Sequence, residues 1–276
     1  MTYSIIARCP HTGRFGVGST TFSIACGRRN ESVRAGVGIS KSQAFYLRYV
    51  DPLALNMLAQ GYTPQRIVRT LEADDPDFDY RQFGIIDREN NVVAHTGPGC
   101  GKWAGHTVGP YYAAYGNGLA GPQTVAGIVS GFLKHPDAPL EDRLLEALEG
   151  GRDAGGQASK GVPRPERSAW IRVVDQLDHP EVDVRVDLHD KSVTELRRVL
   201  EEFKRYRDYY KARCTPTRRC DSRGGVCRQS RRQGGMIALD TRKNEGKWHS
   251  RSGSSLILSP RQRSSRCRRR CRATPS

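Results

Sequence analysis

The residue of this chain whose type and position could do chemistry most directly is Thr2, which follows Met1 at the head of a β-rich run. If Met1 is removed, Thr2 carries both a hydroxyl and a free α-amine. An α-amine has an ordinary pKa of about 7.7–8.0, so it can accept the hydroxyl proton near neutral pH. The sequence therefore offers an N-terminal nucleophile. The alternative is an ordinary strand residue, because many chains begin Met-Thr.

Other motifs with recognisable chemistry are absent from the sequence. It contains no P-loop, no dinucleotide-binding glycine pattern, no H-E-x-x-H and no G-x-S-x-G. The histidines before residue 211 show no metal-ligand spacing, so we expect neither a metal nor a cofactor. Cys100, flanked by glycines and without a placed base, is interpreted as unreactive. Arg81, at a strand start, is interpreted as a salt-bridge residue.

The elements that must position Thr2 follow from hydrophobic periodicity and turn residues. We predict strands at 2–8, 14–22, 31–43, 81–87, 91–96, 168–174 and 182–188. Two short helices begin at Asp51-Pro52 and Thr63-Pro64, each with an N-cap residue and a proline at the first helical position. Further helices begin at Pro122, Leu140 and Ser192, and the second of these is predicted to end at Gly150-Gly151. The Gly-rich stretch 97–121 is interpreted as turns or as close backbone approach. Hairpin-linked strands outnumber those of a parallel sheet, which favours an α+β fold with two mostly antiparallel sheets covered by helices.

The charge divides the chain into two parts. The formal net charge is +16, and all of it arises in 211–276, where 19 Lys and Arg face three acids. We predict a folded domain over 1–210 and a disordered tail over 211–276, since the tail has too few apolar residues to offset its chain entropy. The abrupt change near Arg213 suggests a shifted reading frame, which the gene's nucleotide sequence would test.

The tail raises two further interpretations, which the sequence disfavours. Its five cysteines lack paired C-x2-C spacing, so a zinc site is weakly indicated. Its arginines could bind nucleic acid, but only if the tail is native sequence. No apolar run is long enough to span a membrane, and no signal segment is apparent. The three scattered cysteines of 1–210 are typical of a reducing compartment. We expect a cytoplasmic protein without a membrane partner.

Several segments in order carry a family resemblance: MTYSIIARCPHTGRFGVGS, RAGVGISKSQA, RQFGIIDRENNVVAHTG, WAGHTVG and YGNGLAG. They resemble the bacterial domain-of-unknown-function family 1028, over about residues 1–205. The resemblance implies the fold of the N-terminal nucleophile (Ntn) hydrolases, a four-layer αββα sandwich. That fold implies hydrolysis of an amide bond by an N-terminal Thr, Ser or Cys, although fold alone does not establish function.

The resemblance assigns roles to individual residues. Thr2 is the expected nucleophile, and Asn117 is expected to donate to the oxyanion. Gln43, His106 and Ser42, which stands where the family usually has Thr, are expected to bind substrate. Each has a plainer alternative: Asn117 in a left-handed turn, His106 as a buried, hydrogen-bonded histidine, and Gln43 as a loop cap.

The sequence thus predicts an Ntn-type amidohydrolase acting on a small amide or peptide-like metabolite. The alternative is an inactive scaffold of the same fold that binds a small metabolite or a protein partner. The stripe of Leu200, Phe203 and Tyr210 could pack on the sheet or on a second subunit, so a homo-oligomer is possible.

Overall fold

A computed structural model of the chain describes residues 1–28 and 32–214, which lie in one compact unit. These residues form twelve strands and five α-helices. The strands are β1 Thr2–Arg8, β2 Phe15–Thr21, β3 Val33–Arg34, β4 Gly38–Ala44, β5 Arg81–Asp87, β6 Val92–Thr96, β7 Gly105–Gly109, β8 Tyr112–Asn117, β9 Gln157–Ser159, β10 Val162–Arg164, β11 Ser168–Val174 and β12 Val182–Val186. The helices are α1 Val50–Ala59, α2 Pro64–Asp74, α3 Pro122–Leu133, α4 Leu140–Asp153 and α5 Ser192–Cys214.

Two antiparallel sheets form the centre of this unit. The larger has the order β12-β11-β2-β1-β8-β7, and the smaller has the order β3-β4-β5-β6. Every neighbouring pair runs antiparallel. Strand β1 therefore lies inside the larger sheet, between β2 and β8. A separate hairpin pairs β9 with β10.

The layers follow from the alternation of side chains along the strands. On β1, Tyr3 and Ile5 pack with α3, α4 and α5, whereas Ile6 packs towards the smaller sheet. That sheet packs its other face, including Phe83 and Ile85, against α1 and α2. The order is helices, sheet, sheet, helices. The α+β prediction of two mostly antiparallel sheets with helices outside is confirmed.

Strand and helix boundaries differ from prediction in three segments that contain glycine. The strand predicted at 31–43 is two strands, because the chain turns between β3 and β4 with Gly36 at φ +65°. The Gly-rich stretch 97–121 contains β7 and β8 rather than turns alone. Helix α4 continues through Gly150, where the prediction ended it, to Asp153. Gly150 lies directly against α3, since an added Cβ would lie 2.2 Å from the Gly127 carbonyl. These glycines permit close helix packing.

The two predicted proline-marked helix starts have different outcomes. Thr63 caps α2, and its hydroxyl accepts a hydrogen bond from the Arg66 amide at 3.4 Å. Helix α1 instead begins at Val50, so Asp51 lies inside its first turn. The Asp51 carboxylate accepts hydrogen bonds from the hydroxyls of Ser40 and Ser42. It therefore joins α1 to β4 rather than capping a helix.

The predicted domain boundary at 210 falls within α5, which continues to Cys214. Lys211 of this last turn pairs with Glu181 at 2.6 Å. The rest of the predicted tail lies outside the described residues, as do the interpretations of its cysteines and arginines. None of the helices within residues 1–28 and 32–214 is long and apolar enough to cross a membrane.

Candidate functional site

Thr2 lies at the first position of β1, paired on both sides. Its partners in register are Thr21 on β2 and Asn117 on β8. Because side chains alternate along a strand, Thr2 shares the face of Ser4 and Ile6, which is turned towards the smaller sheet. The Thr2 side chain is only partly buried. The fold thus presents its hydroxyl at one end of the space between the sheets.

The hydrogen bonds of Thr21 determine the direction of the Thr2 hydroxyl. Thr21 Oγ1 donates to the Met1 carbonyl at 2.7 Å, and the Thr2 and Thr21 hydroxyl oxygens lie 2.9 Å apart. A hydroxyl has one proton, so Thr2 is the donor of the second bond. The Met1 carbonyl belongs to the peptide whose nitrogen becomes the Thr2 α-amine once Met1 is removed. Thr21 therefore lies beside both functional groups of Thr2.

A cavity of about 230 Å³, here called the inter-sheet cavity, opens beside Thr2. Its polar walls include Ser19, Thr21, Lys41 and Gln43, all nearly fully buried. It is lined by Met1, Thr2, Ser19, Thr21, Ser23, Ile24, Ala25, Cys26, Arg28, Lys41, Gln43, Ala44 and Tyr46. The cavity therefore combines a candidate nucleophile with hydrogen-bonding and cationic groups.

Lys41 is one of the cavity residues that the sequence interpretation missed, together with Ser19 and Thr21. It is 3% exposed, and its ammonium donates to the Ser42 carbonyl at 2.7 Å. A buried ammonium is costly unless the site uses its charge or its hydrogen bonds. The sequence contains a signal for Lys41. Side chains two residues apart on a strand share a face, so Lys41 lies on the same face as Gln43.

Gln43 belongs to a buried network of side-chain amides. Its carbonyl oxygen accepts from Ser4 at 2.6 Å, and its amide donates to Gln82 Oε1 at 2.7 Å. The same amide lies 3.4 Å from the Thr2 carbonyl. Gln82 in turn donates to the Gly116 carbonyl at 2.8 Å. Gln43 thus connects β1 to the smaller sheet beside Thr2, rather than capping a loop.

Asn117 lies next to Thr2 in the sheet, but its side chain is held elsewhere. Its amide donates to Gln82 Oε1 at 2.9 Å, and it does not line the inter-sheet cavity. It ends β8 in strand conformation, whereas the left-handed residue is Gly118 at φ +62°. Asn117 and Gln43 therefore meet at Gln82, which the sequence interpretation did not single out.

His106 and Ser42 are placed away from the Thr2 hydroxyl. His106, on β7, is exposed, and its ring nitrogen lies 2.9 Å from Thr96 Oγ1. The Ser42 hydroxyl donates to Asp51 on the helix side of β4. Burial raises the pKa of the Asp51 carboxyl, while Lys41 and the Ser42 bonds act in the opposite direction. Of the predicted residues, the structure brings Thr2, Gln43 and Asn117 together.

Met1 occupies the end of the site next to Thr2. Its carbonyl is bound by Thr21, and its side chain packs so closely on Gly118 that a Cβ there would lie 2.3 Å from Met1 Cγ. Burial lowers the pKa of the Met1 α-amine from its ordinary value of 8.0. Desolvation disfavours the charged form of an amine, so the environment of the Met1 α-amine favours its neutral form.

A second cavity, of about 150 Å³, lies on the opposite face of β4, between the smaller sheet and helices α1 and α2. We call it the helix-side cavity. It is lined by Ser42, Gln43, Tyr46, Leu47, Tyr49, Val50, Leu53, Thr70, Leu71, Asp74, Asp75, Phe78, Arg81, Gln82 and Phe83. Arg81 pairs with Asp75 at 2.7 Å in its wall, which confirms the salt-bridge interpretation of Arg81.

No group of three metal-ligating side chains is found within residues 1–28 and 32–214. In the same part of the chain, Cys9, Cys26 and Cys100 form no disulfide bond. Burial raises the pKa of the Cys100 thiol, which disfavours the reactive thiolate.

The fold and the site define an α+β sandwich with a polar cavity between its sheets at the start of β1. A family model described as a family of unknown function, DUF1028, matches residues 2–196. The chain belongs to this family. It is similar to the crystal structure of protein SPO2555 from Silicibacter pomeroyi, also of family DUF1028, with a TM-score of 0.65 and 27% identity over 74% of this chain and 86% of that chain. No curated protein matches the chain.

Proposed function

We propose that this protein is an N-terminal-nucleophile amidohydrolase in which Thr2, freed by removal of Met1, attacks the amide bond of a small or peptide-like substrate. The observation that carries the proposal is the position of the Thr2 hydroxyl. It lines a polar cavity and donates to the Thr21 hydroxyl. Thr21 in turn donates to the Met1 carbonyl, in the peptide group whose nitrogen would become the Thr2 α-amine. Nucleophile and base are thus neighbours at one end of one strand.

The reaction would proceed in two steps. The Thr2 Oγ attacks the amide carbon while its proton passes to the Thr2 α-amine, and the resulting ammonium returns that proton to the leaving amine. This leaves an ester between the acyl group and Thr2. Water then attacks the ester while the α-amine takes one of its protons. The ester C–O bond breaks, the ammonium returns that proton to Thr2 Oγ, and the carboxylic acid leaves. Thr21 would hold the α-amine in position throughout.

The charge that develops on the carbonyl oxygen requires a donor within the cavity. The expected donor, Asn117, has its amide bonded to Gln82 and lies outside the cavity lining. Lys41 lines the same cavity as Thr2, and the positive charge of an ammonium would stabilise an oxyanion formed there. We therefore assign the main stabilisation of the oxyanion to Lys41, and to Asn117 the lesser part. The same positive charge would lower the pKa of the neighbouring α-amine.

The experiment is a hydrolysis assay on the full chain with a panel of small primary and secondary amides, followed by the release of ammonia or amine. Hydrolysis should be lost in Thr2→Ala and partly retained in Thr2→Ser, because serine keeps both functional groups. Equal activity in wild type and Thr2→Ala would refute the nucleophile. Binding of amides without any turnover would favour the alternative, an inactive scaffold that binds a small metabolite.

A further inference from the structure

The two cavities on either face of β4 share part of their walls. Gln43 and Tyr46 line both of them. Between these two residues β4 ends at Ala44, whose φ of +62° turns the chain out of the sheet. The Gln43 amide lies 3.4 Å from the Thr2 carbonyl, so a residue that lines the helix-side cavity also contacts Thr2.

The walls of the two cavities differ in chemistry. The inter-sheet cavity presents hydroxyls, an amide and cations, which suit a polar reacting group. The lining surface of the helix-side cavity is mainly apolar. It comes from α1, α2, β5 and the segments before α1 and after α2: Leu47, Val50, Leu53, Leu71, Phe78 and Phe83. Its volume of about 150 Å³ matches that of an apolar protein cavity known to accept a benzene ring.

The charged groups of the helix-side cavity are largely paired. The Asp75 carboxylate accepts two hydrogen bonds from the Arg81 guanidinium, at 2.7 and 3.1 Å. Arg81 also donates to the Phe45 carbonyl, which fixes the loop after β4. Phe45 and Tyr80, the sequence neighbours of the lining residues Tyr46 and Arg81, are about half exposed and contact each other edge to face at 5.8 Å. A cavity with this lining favours an uncharged guest.

We propose that the helix-side cavity receives an uncharged aromatic or branched aliphatic side chain of the substrate whose amide is presented to Thr2. That the ligand is a substrate rests on the proposed function. That its bound group is apolar and uncharged rests on the cavity lining alone. It commits the substrate class to amides that carry one apolar side chain. Burial of a phenyl group should strengthen binding by about 10- to 100-fold over the amide that lacks it.

The test compares 3-phenylpropanamide with propanamide on the full chain, with binding measured by calorimetry in the Thr2→Ala background and hydrolysis measured with Thr2 present. Leu53→Trp and Thr70→Trp each fill the cavity from a different helix. Gln65→Trp, at an exposed position of α2 outside the cavity lining, is the matched control. Thermal unfolding of each variant checks that it is folded.

The expected result is a preference for the phenyl compound in the Thr2→Ala background and in Gln65→Trp, and loss of most of it, about tenfold or more, in both cavity-filling variants. This result would support the cavity even if no amide were hydrolysed, in which case only the nucleophile would fail. Absence of a phenyl preference, or a preference that both tryptophans leave intact, would overturn the cavity proposal while Thr2-dependent hydrolysis could still stand. A dimer that both tryptophans dissociate would also overturn it, because a second copy would then fill the cavity.

Discussion

The two faces of β4 show how one strand can serve two kinds of chemistry. Lys41 and Gln43 point between the sheets, into the cavity beside Thr2. Ser40 and Ser42 point the other way and bind the buried carboxylate of Asp51 on α1. The first face leaves polar groups along an open cavity, whereas the second uses polar groups to fix a helix next to an apolar cavity.

Burial of a polar residue does not by itself mark a reacting site. Asp51 and Lys41 are both buried, yet three hydrogen bonds from Ser40 and Ser42 hold the Asp51 carboxylate in a structural joint. Lys41 donates to the Ser42 carbonyl at 2.7 Å and lines a cavity that Thr2 also lines. The access of a polar group to a cavity decides which of the two can take part in chemistry.

The largest expected effect is at Thr2. Thr2→Ala removes the hydroxyl that lines the inter-sheet cavity, and hydrolysis should fall by at least about 1,000-fold because no other hydroxyl combines with an α-amine. The measurement is kcat/KM on the best amide of the panel. Thr21→Val, which removes only the neighbouring hydroxyl, should cost less. A Thr21→Val loss equal to that of Thr2→Ala would place the nucleophile elsewhere.

The next effect distinguishes Lys41 from Asn117. Lys41→Met keeps the length of the side chain and removes its charge, so kcat should fall about 100- to 1,000-fold with KM little changed. Asn117→Ala should lower kcat less, because its amide is already bonded to Gln82. Measurement of kcat and KM for both variants on one substrate shows which residue stabilises the oxyanion more. A larger loss in Asn117→Ala would restore the oxyanion role expected from the sequence.

The wild-type pH profile sharpens the same comparison. Hydrolysis requires the neutral α-amine, so kcat/KM should rise with pH through the pKa of that amine. The Lys41 ammonium, which lines the same cavity, should lower the pKa of the Thr2 α-amine because it disfavours a second positive charge nearby. The inflection should therefore move upward in Lys41→Met. An unchanged inflection in Lys41→Met would show that the Lys41 charge does not affect the pKa of the α-amine.

A smaller effect concerns the residue that joins the two sheets. Gln82→Leu leaves the amides of Gln43 and Asn117 without their common acceptor, and it frees the Gly116 carbonyl. Stability should fall by at least about 2 kcal/mol, since each unsatisfied buried group costs about 1–3 kcal/mol. Urea unfolding measures the change, with Gln60→Leu, an exposed position after α1, as the control. An unchanged free energy of unfolding would mean that the network is replaced by water.

Much of the fold follows from the sequence because its strands alternate and its helices have periodic apolar faces. The pairing of β1 with β8 at Thr2 is not predicted, since β8 lies in a Gly-rich stretch that local rules interpret as turns or close backbone approach. The site was predicted only in part for a related reason. Gln43 and Asn117 are 74 positions apart, and their meeting at Gln82 depends on the packing of one sheet on the other.

The smallest expected effect is on the helix side of β4. The hydrogen bond from Arg81 holds the pKa of the Asp75 carboxyl below its ordinary 3.8. A lowered folded-state pKa stabilises the protein above pH 3.8, and that stabilisation is lost as the pH falls through the lowered value. Asp75→Asn should cost about 1 kcal/mol at pH 7 and progressively less below pH 3.8. Urea unfolding at several pH values, with exposed Asp79→Asn as control, measures this; a difference that grows in acid would contradict it.

The most direct test of the central claim is the intact mass of the full chain before and after reaction with a β-lactone, followed by peptide mapping. The account predicts loss of Met1, one adduct located on Thr2, and no adduct in Thr2→Ala. A retained Met1, or the absence of an adduct under conditions that label a known N-terminal-nucleophile enzyme, would contradict the claim that Thr2 is the nucleophile.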